Sequence, residues 1–183
     1  MPLCNPAEFR ELLPRGARLL GLDVGTKTIG LALSDTRLSI ASPLDTIRRS
    51  RFKDDMAALS RLIDRYAIGG LVVGLPLRLD GDDGPRTQGV RQFAKNVLAA
   101  RDLPLAFWDE RLSTLAVERD MIAADLTRKR RAQIVDRAAA AYILQGCLDW
   151  LNRQLDRLDR DHGQFDRLDG NKIGFDCWDP VSR

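Results

Sequence analysis

From Arg18 onward the chain switches between two hydrophobic periods. Residues 18–33, Arg-Leu-Leu-Gly-Leu-Asp-Val-Gly-Thr-Lys-Thr-Ile-Gly-Leu-Ala-Leu, read as two apolar strands joined by a turn containing Gly25, Thr26 and Lys27. A third short strand near 38–47 completes an antiparallel meander. After Arg51 the period lengthens: Met56, Leu59, Ile63 and Tyr66 recur at helical spacing, and Gly69-Gly70 is expected to close that helix. Leu71-Val72-Val73-Gly74-Leu75 is a nearly unbroken apolar run, the pattern of a strand covered on both faces. Val90, Phe93, Val97 and Leu98 mark another helix, and Leu105-Ala106-Phe107-Trp108 another strand. A helix from about Ser113, an N-cap residue type, to Asp125 comes next, then a basic stretch and a long helix over about 133–151. Strand–helix alternation implies parallel strands joined by crossover helices. The expected fold is therefore α/β: a mixed five-stranded sheet, three antiparallel strands then two parallel ones, flanked by helices.

The ends differ from this body. Residues 1–17 form a leader, 18–151 the folded domain, and 152–183 a polar extension that repeats Asp-Arg-Leu-Asp at 156–159 and 166–169. The extension carries six Lys/Arg against seven Asp/Glu and few apolar residues, a composition that favours disorder or loose attachment. Phe175 and Trp178 are its exceptions, able to dock on the body or on a partner.

Composition narrows the chemistry. A chain of 183 residues with 44% hydrophobic content is long enough for a core that needs neither disulfides nor a structural metal. The cysteines, Cys4, Cys147 and Cys177, are odd in number and far apart, which fits neither a disulfide framework nor a zinc site and makes a reducing cytosol the expected setting. The N-terminus has acidic residues where a secretory signal needs a basic start, and no stretch reaches the ~18 apolar residues of a membrane span. One histidine, His162 in the polar extension, leaves no room for Ser-His-Asp, Cys-His or His-rich metal chemistry. Carboxylates, lysines or hydroxyls must do the work.

Three carboxylates stand out by position. Asp23 sits in the first apolar strand, where an ionised group is costly unless compensated. Glu110, after Asp109, ends the strand 105–108 at a carboxyl edge, where α/β sheets bind ligands. Asp136 precedes the run Ala138-Ala139-Ala140-Ala141, small side chains that let a helix lie close to the sheet. Each also has a structural explanation: Asp23 as a turn residue satisfied by the amides of the Gly25 loop, Asp109 and Glu110 as partners of Arg111, Asp136 as an N-terminal helix residue favoured by the dipole. Together they suggest one convergent cluster. Such a cluster without histidine calls for hard cations, Mg²⁺ or Mn²⁺, which activate water and stabilise a departing oxygen in phosphoryl transfer. Arg128-Lys129-Arg130-Arg131, just before Asp136, could hold phosphates beside it, with Lys27 and Arg111 as further contacts.

Four segments then resemble one family in its motif order: Asp23-Val-Gly-Thr-Lys-Thr-Ile-Gly30, Val73-Gly-Leu-Pro76 with Asp80-Gly81, Asp109-Glu-Arg-Leu-Ser-Thr114, and Val135-Asp-Arg-Ala-Ala-Ala-Ala-Tyr-Ile-Leu-Gln145. This is the YqgF family, also called the RuvX or pre-16S rRNA nuclease family, and the resemblance covers about residues 18–151. It implies a ribonuclease H-like fold related to RuvC-type Holliday junction resolvases, and a role in maturing the 5′ end of 16S ribosomal RNA. The family's acidic site carries over onto Asp23, Glu110 and Asp136, as catalytic residues and metal ligands. Neighbouring strand residues point to opposite faces, so Glu110 is assigned to the site and Asp109 to structure.

The resulting expectation is a metal-dependent endonuclease acting on precursor 16S rRNA, in the cytoplasm and in contact with ribosomal particles. Cleavage of branched DNA is the alternative within the same chemistry; resolvases make two symmetric cuts and are usually dimers. A ribosome- or nucleic-acid-binding factor without catalysis is a different class, and acids beside a basic loop add nothing to such binding. Asp-x-Gly-Thr at 23–26 also suits an actin-like ATPase, but no second glycine-rich phosphate loop accompanies it.

Overall fold

The computed structural model describes residues 3–77, 84–109 and 128–165, with side chains in the last stretch from 135 to 155. Five strands, β1 (Arg18–Val24), β2 (Thr28–Ser34), β3 (Ala41–Arg48), β4 (Ile68–Leu75) and β5 (Leu105–Asp109), form one sheet in the order β3-β2-β1-β4-β5. β1, β2 and β3 are antiparallel neighbours, while β4 runs parallel to β1 and β5 parallel to β4. This is the mixed sheet expected from the sequence, three antiparallel strands and then two parallel ones.

Strand alternation divides the core between two faces. Leu20, Leu22 and Val24 of β1 pack with α2 (Phe52–Tyr66) and α3 (Pro85–Ala100), through Met56, Leu59, Ile63, Val90 and Phe93 among others. On the other face Leu19, Ala32, Val72, Ala106 and Trp108 meet the long helix α4 (Arg128–Phe165) through Ala140, Ile143, Leu144, Cys147, Leu148 and Leu151. α4 comes very near the strands: a Cβ on Gly21 of β1 would lie 2.7 Å from Leu144 Cβ and 2.9 Å from the Ala140 carbonyl oxygen. The small residues that permit this approach stand on the sheet as well as on the helix.

Several boundaries move. Gly69 and Gly70 do not close α2; Ala67 does, in the left-handed region (φ 52°), its amide donating to the Ile63 carbonyl. The two glycines lie inside β4, where a Cβ on Gly69 would stand 2.7 Å from Ala17 Cβ and one on Gly70 2.9 Å from Phe9 Cε1. They are strand residues without side chains because the N-terminal segment presses on them. That segment, from a short 3-10 turn (Pro6–Glu8) into α1 (Phe9–Leu12), docks on the α4 face: Phe9 is fully buried and the Cys4 amide donates to the Leu105 carbonyl at 2.9 Å. The third strand begins at Ala41, three residues later than the pattern suggested. α4 starts at Arg128 and does not stop near 151; it continues helically to Phe165. The expected helix Ser113–Asp125, and Phe175 and Trp178, lie outside the described residues. No described helix is long and apolar enough to cross a membrane.

Candidate active site

Asp23 is the next-to-last residue of β1, on the face that Leu19 and Gly21 turn towards α4. Its partner across the antiparallel pair is Gly30 of β2. The backbone of Asp136 rests directly on that glycine, and a Cβ there would stand 2.0 Å from the Asp136 carbonyl oxygen. A glycine at the Asp23 level of the sheet thus admits the turn of α4 that carries the second acid. Asp136 lies eight residues into α4, so the dipole of the helix start does not account for it. Nor is Asp23 served by the Gly25 amide, which donates to the Thr28 carbonyl at 2.9 Å and closes the β1–β2 turn.

The Asp23 side chain keeps 17% exposure and has the Arg86 guanidinium 4.0 Å away. Burial pushes its carboxyl above the ordinary value of 3.8, Arg86 pulls it back, and the Asp136 carboxylate pushes it up again. The charge of Asp136 thus reaches Asp23 at the carboxyl end of β1.

Arg86 escaped the sequence reading. It stands in the first turn of α3, after the Gly84 N-cap and Pro85, and the Thr87 hydroxyl donates to the Pro76 carbonyl, tying that turn to the exit of β4. Gly84-Pro85 marks a helix start and a cation in a first turn opposes the dipole, so the anomaly was readable. Arg49 was missed too. It clamps the β1–β2 turn: its Nη1 donates to the Gly25 carbonyl at 2.7 Å and its amide to the Lys27 carbonyl at 2.9 Å. The same guanidinium lies 4.0 Å from Asp55 and 5.6 Å over the Phe93 ring, so it braces the turn against α2 and α3. The run Arg48-Arg49-Ser50-Arg51 was its signal.

Of the other predicted residues, Lys27 is exposed in the turn beside Asp23. Arg128, Lys129, Arg130 and Arg131 occupy the first helical positions of α4, ahead of Asp136 on the same helix. Glu110 and Arg111 lie outside the described residues. Asp109 closes β5 in register with Leu75, one step past Trp108, which faces α4.

A half-buried carboxylate that a second one pushes up, with a single guanidinium at 4.0 Å, is short of positive charge. Its oxygen-only donor set fits a hard divalent cation such as Mg²⁺ or Mn²⁺, which Asp23 and Asp136 could hold. Among the described residues no group of three or more His, Cys, Asp or Glu side chains forms a metal cage.

A family model described as RuvX, Holliday junction resolvase, matches residues 17–150. The chain belongs to the RuvX family. Its relatives include a protein of Paramagnetospirillum magneticum, 58% identical over 149 residues that make up 81% of this chain and 96% of the relative. Another, from Rhodospirillum rubrum, is 57% identical over 155 residues, 84% of this chain and 96% of that one. Both carry the name of candidate pre-16S rRNA nucleases. RuvC of T. thermophilus in complex with a Holliday junction substrate aligns with a TM-score of 0.49 at 15% identity, over 72% of this chain and 93% of RuvC. As a RuvX-family member the chain is a nuclease, a hydrolase of phosphodiester bonds.

Proposed function

We propose that this RuvX-family chain is a divalent-metal-dependent endonuclease of the cytoplasm that trims the 5′ end of precursor 16S rRNA, working on or beside ribosomal particles. The convergence of Asp23 and Asp136 over Gly30 carries the reading, because a fold gains nothing from bringing two carboxylates together in a desolvated place. The relatives' name supplies the substrate.

Asp23 and Asp136 hold the cation, and Glu110 joins them. Ala106 and Trp108 of β5 face α4 whereas Phe107 packs on the other side, and one more step of that alternation favours Glu110 for the site and Asp109 for structure. When bound, the divalent ion supplies the positive charge that an attacking water and a departing oxygen need. The protein's share is position. Lys27 on its braced turn and Arg111 contact the substrate backbone. Arg128, Lys129, Arg130 and Arg131 hold phosphates about 8–12 Å along the helix axis from Asp136. Four cations at a helix start oppose the dipole, so helix stability is no reason for them.

The test is cleavage by purified protein of precursor 16S rRNA against a four-way DNA junction, each with Mg²⁺ and with Mn²⁺. The reading expects the rRNA to be cut at its 5′ end and both metals to support it. A cut junction beside intact rRNA would transfer the proposal to branched DNA, and binding of rRNA in EDTA with no cleavage in any metal would make the chain a binding factor.

A further inference from the structure

We infer that Arg86 is a built-in competitor for the metal position: its guanidinium occupies the Asp23 carboxylate in the metal-free chain and must withdraw when a divalent cation binds there. The inference rests on the metal-site reading above and adds to it a residue that sets how much metal the site requires.

The geometry is that of a replaceable partner. Asp23 is 17% exposed and held in β1, whereas the Arg86 side chain is 59% exposed and projects from the first turn of α3. Their separation of 4.0 Å is longer than a direct charge-assisted hydrogen bond of about 2.7–2.9 Å. The guanidinium therefore approaches the carboxylate without being locked to it. It has open solvent to move into, while the carboxylate is fixed on its strand and largely covered. Two positive charges cannot share one carboxylate at low cost, so a divalent ion on Asp23 and Asp136 displaces the weaker holder. The Arg86 position is also costly for the helix, because it puts a cation where the α3 dipole is positive. Neither helix stability nor the core, where Arg86 has no part, accounts for it.

The experiment compares wild type, Arg86→Gln and Arg86→Lys, following thermal unfolding across a Mn²⁺ titration and measuring Mn²⁺ affinity by calorimetry, with Asp23→Asn as reference. Competition predicts that Arg86→Gln lowers the Tm without metal, because Asp23 loses the guanidinium 4.0 Å from it. Saturating Mn²⁺ should bring Arg86→Gln and wild type to the same Tm, with Mn²⁺ bound roughly two- to tenfold more tightly by the variant, the modest range of a half-exposed ion pair. Arg86→Lys should fall between them. A purely structural Arg86 would lower the Tm equally with and without metal and leave the affinity unchanged, and that result overturns the inference alone. If wild type shows no Mn²⁺ response that Asp23→Asn removes, the metal-site reading fails and this inference falls with it.

Discussion

Gly30 and Asp136 are in contact that leaves no space for a methyl group: a Cβ on Gly30 would lie 2.0 Å from the Asp136 carbonyl oxygen and 2.5 Å from its carbonyl carbon. Both obstructing atoms are backbone, so relief requires α4 to move off the sheet. Gly30 is at the same time the register partner of Asp23. A single hydrogen in place of a side chain thus sets how near the second acid comes to the first.

Gly30→Ala should accordingly cost about 1–3 kcal/mol or more in chemical denaturation, the range for an overpacked core. It should also lower nuclease activity beyond what the lost stability explains, since α4 carries Asp136 away. Gly89→Ala on α3, where a Cβ would meet nothing within 4 Å, is the control and should be neutral or stabilising by up to about 1 kcal/mol. Equal effects of the two substitutions would show that the close approach is not what matters.

Asp23→Asn should stabilise the metal-free protein. The carboxyl is held above its ordinary value of 3.8 first by burial, with Asp136 adding to it against the pull of Arg86. A group raised in the folded state contributes its stability in full below the unfolded value and loses it as pH climbs through the folded one. The gain from Asp23→Asn is therefore greatest at neutral pH and shrinks on acidification towards pH 3.8. Removing about 1 kcal/mol of cost would raise the Tm by roughly 2–4 °C at this chain length. A Tm that falls at neutral pH in EDTA would mean that the carboxylate has a stabilising partner the site does not account for.

Deleting residues 1–17, or Phe9→Ala alone, should destabilise the whole domain. Phe9 is fully buried against the Gly70 backbone and Leu19, and loss of such a ring costs about 3–5 kcal/mol. Urea denaturation of the two variants measures it; unchanged midpoints would make the segment a dispensable leader after all.

Cys4 and Cys147 should be inert in the native protein. Burial raises the Cys4 thiol to about 11 and the Cys147 thiol to about 12. At pH 8 the reactive thiolate is then on the order of 10⁻³ of Cys4 and 10⁻⁴ of Cys147. In a Cys177→Ser variant, Ellman's reagent should react with neither until denaturant is added. Rapid native reaction of one thiol would show that it is more open than the packing implies.

What the sequence made legible has a common character. Asp23 was visible because a charge inside an apolar strand is anomalous by itself, and the mix of three antiparallel and two parallel strands followed from the change of period between strands and helices. Asp136 was visible through the alanines after it. Gly30 was not, because its importance depends on the helix that crosses it more than 100 residues later in the chain. Gly69-Gly70 was misread as a helix stop for the same reason: the glycine signal is local, but Phe9 and Ala17, which require those glycines, come from elsewhere. Arg86 and Arg49 carried signals that only the fold could direct, one to Asp23 and the other to the β1–β2 turn. α4 outran its expected end because the charges beyond Leu151 alternate in a way compatible with a solvated helix as well as with disorder.

A catalytic metal site formed by Asp23 and Asp136 is tested most directly by the Mg²⁺-dependent cleavage rate of precursor 16S rRNA by Asp136→Asn beside wild type, at matched fold and with rRNA binding checked in EDTA. The expected result is a loss on the order of 10³-fold or more in rate with binding retained. Cleavage by Asp136→Asn at the wild-type rate would contradict it.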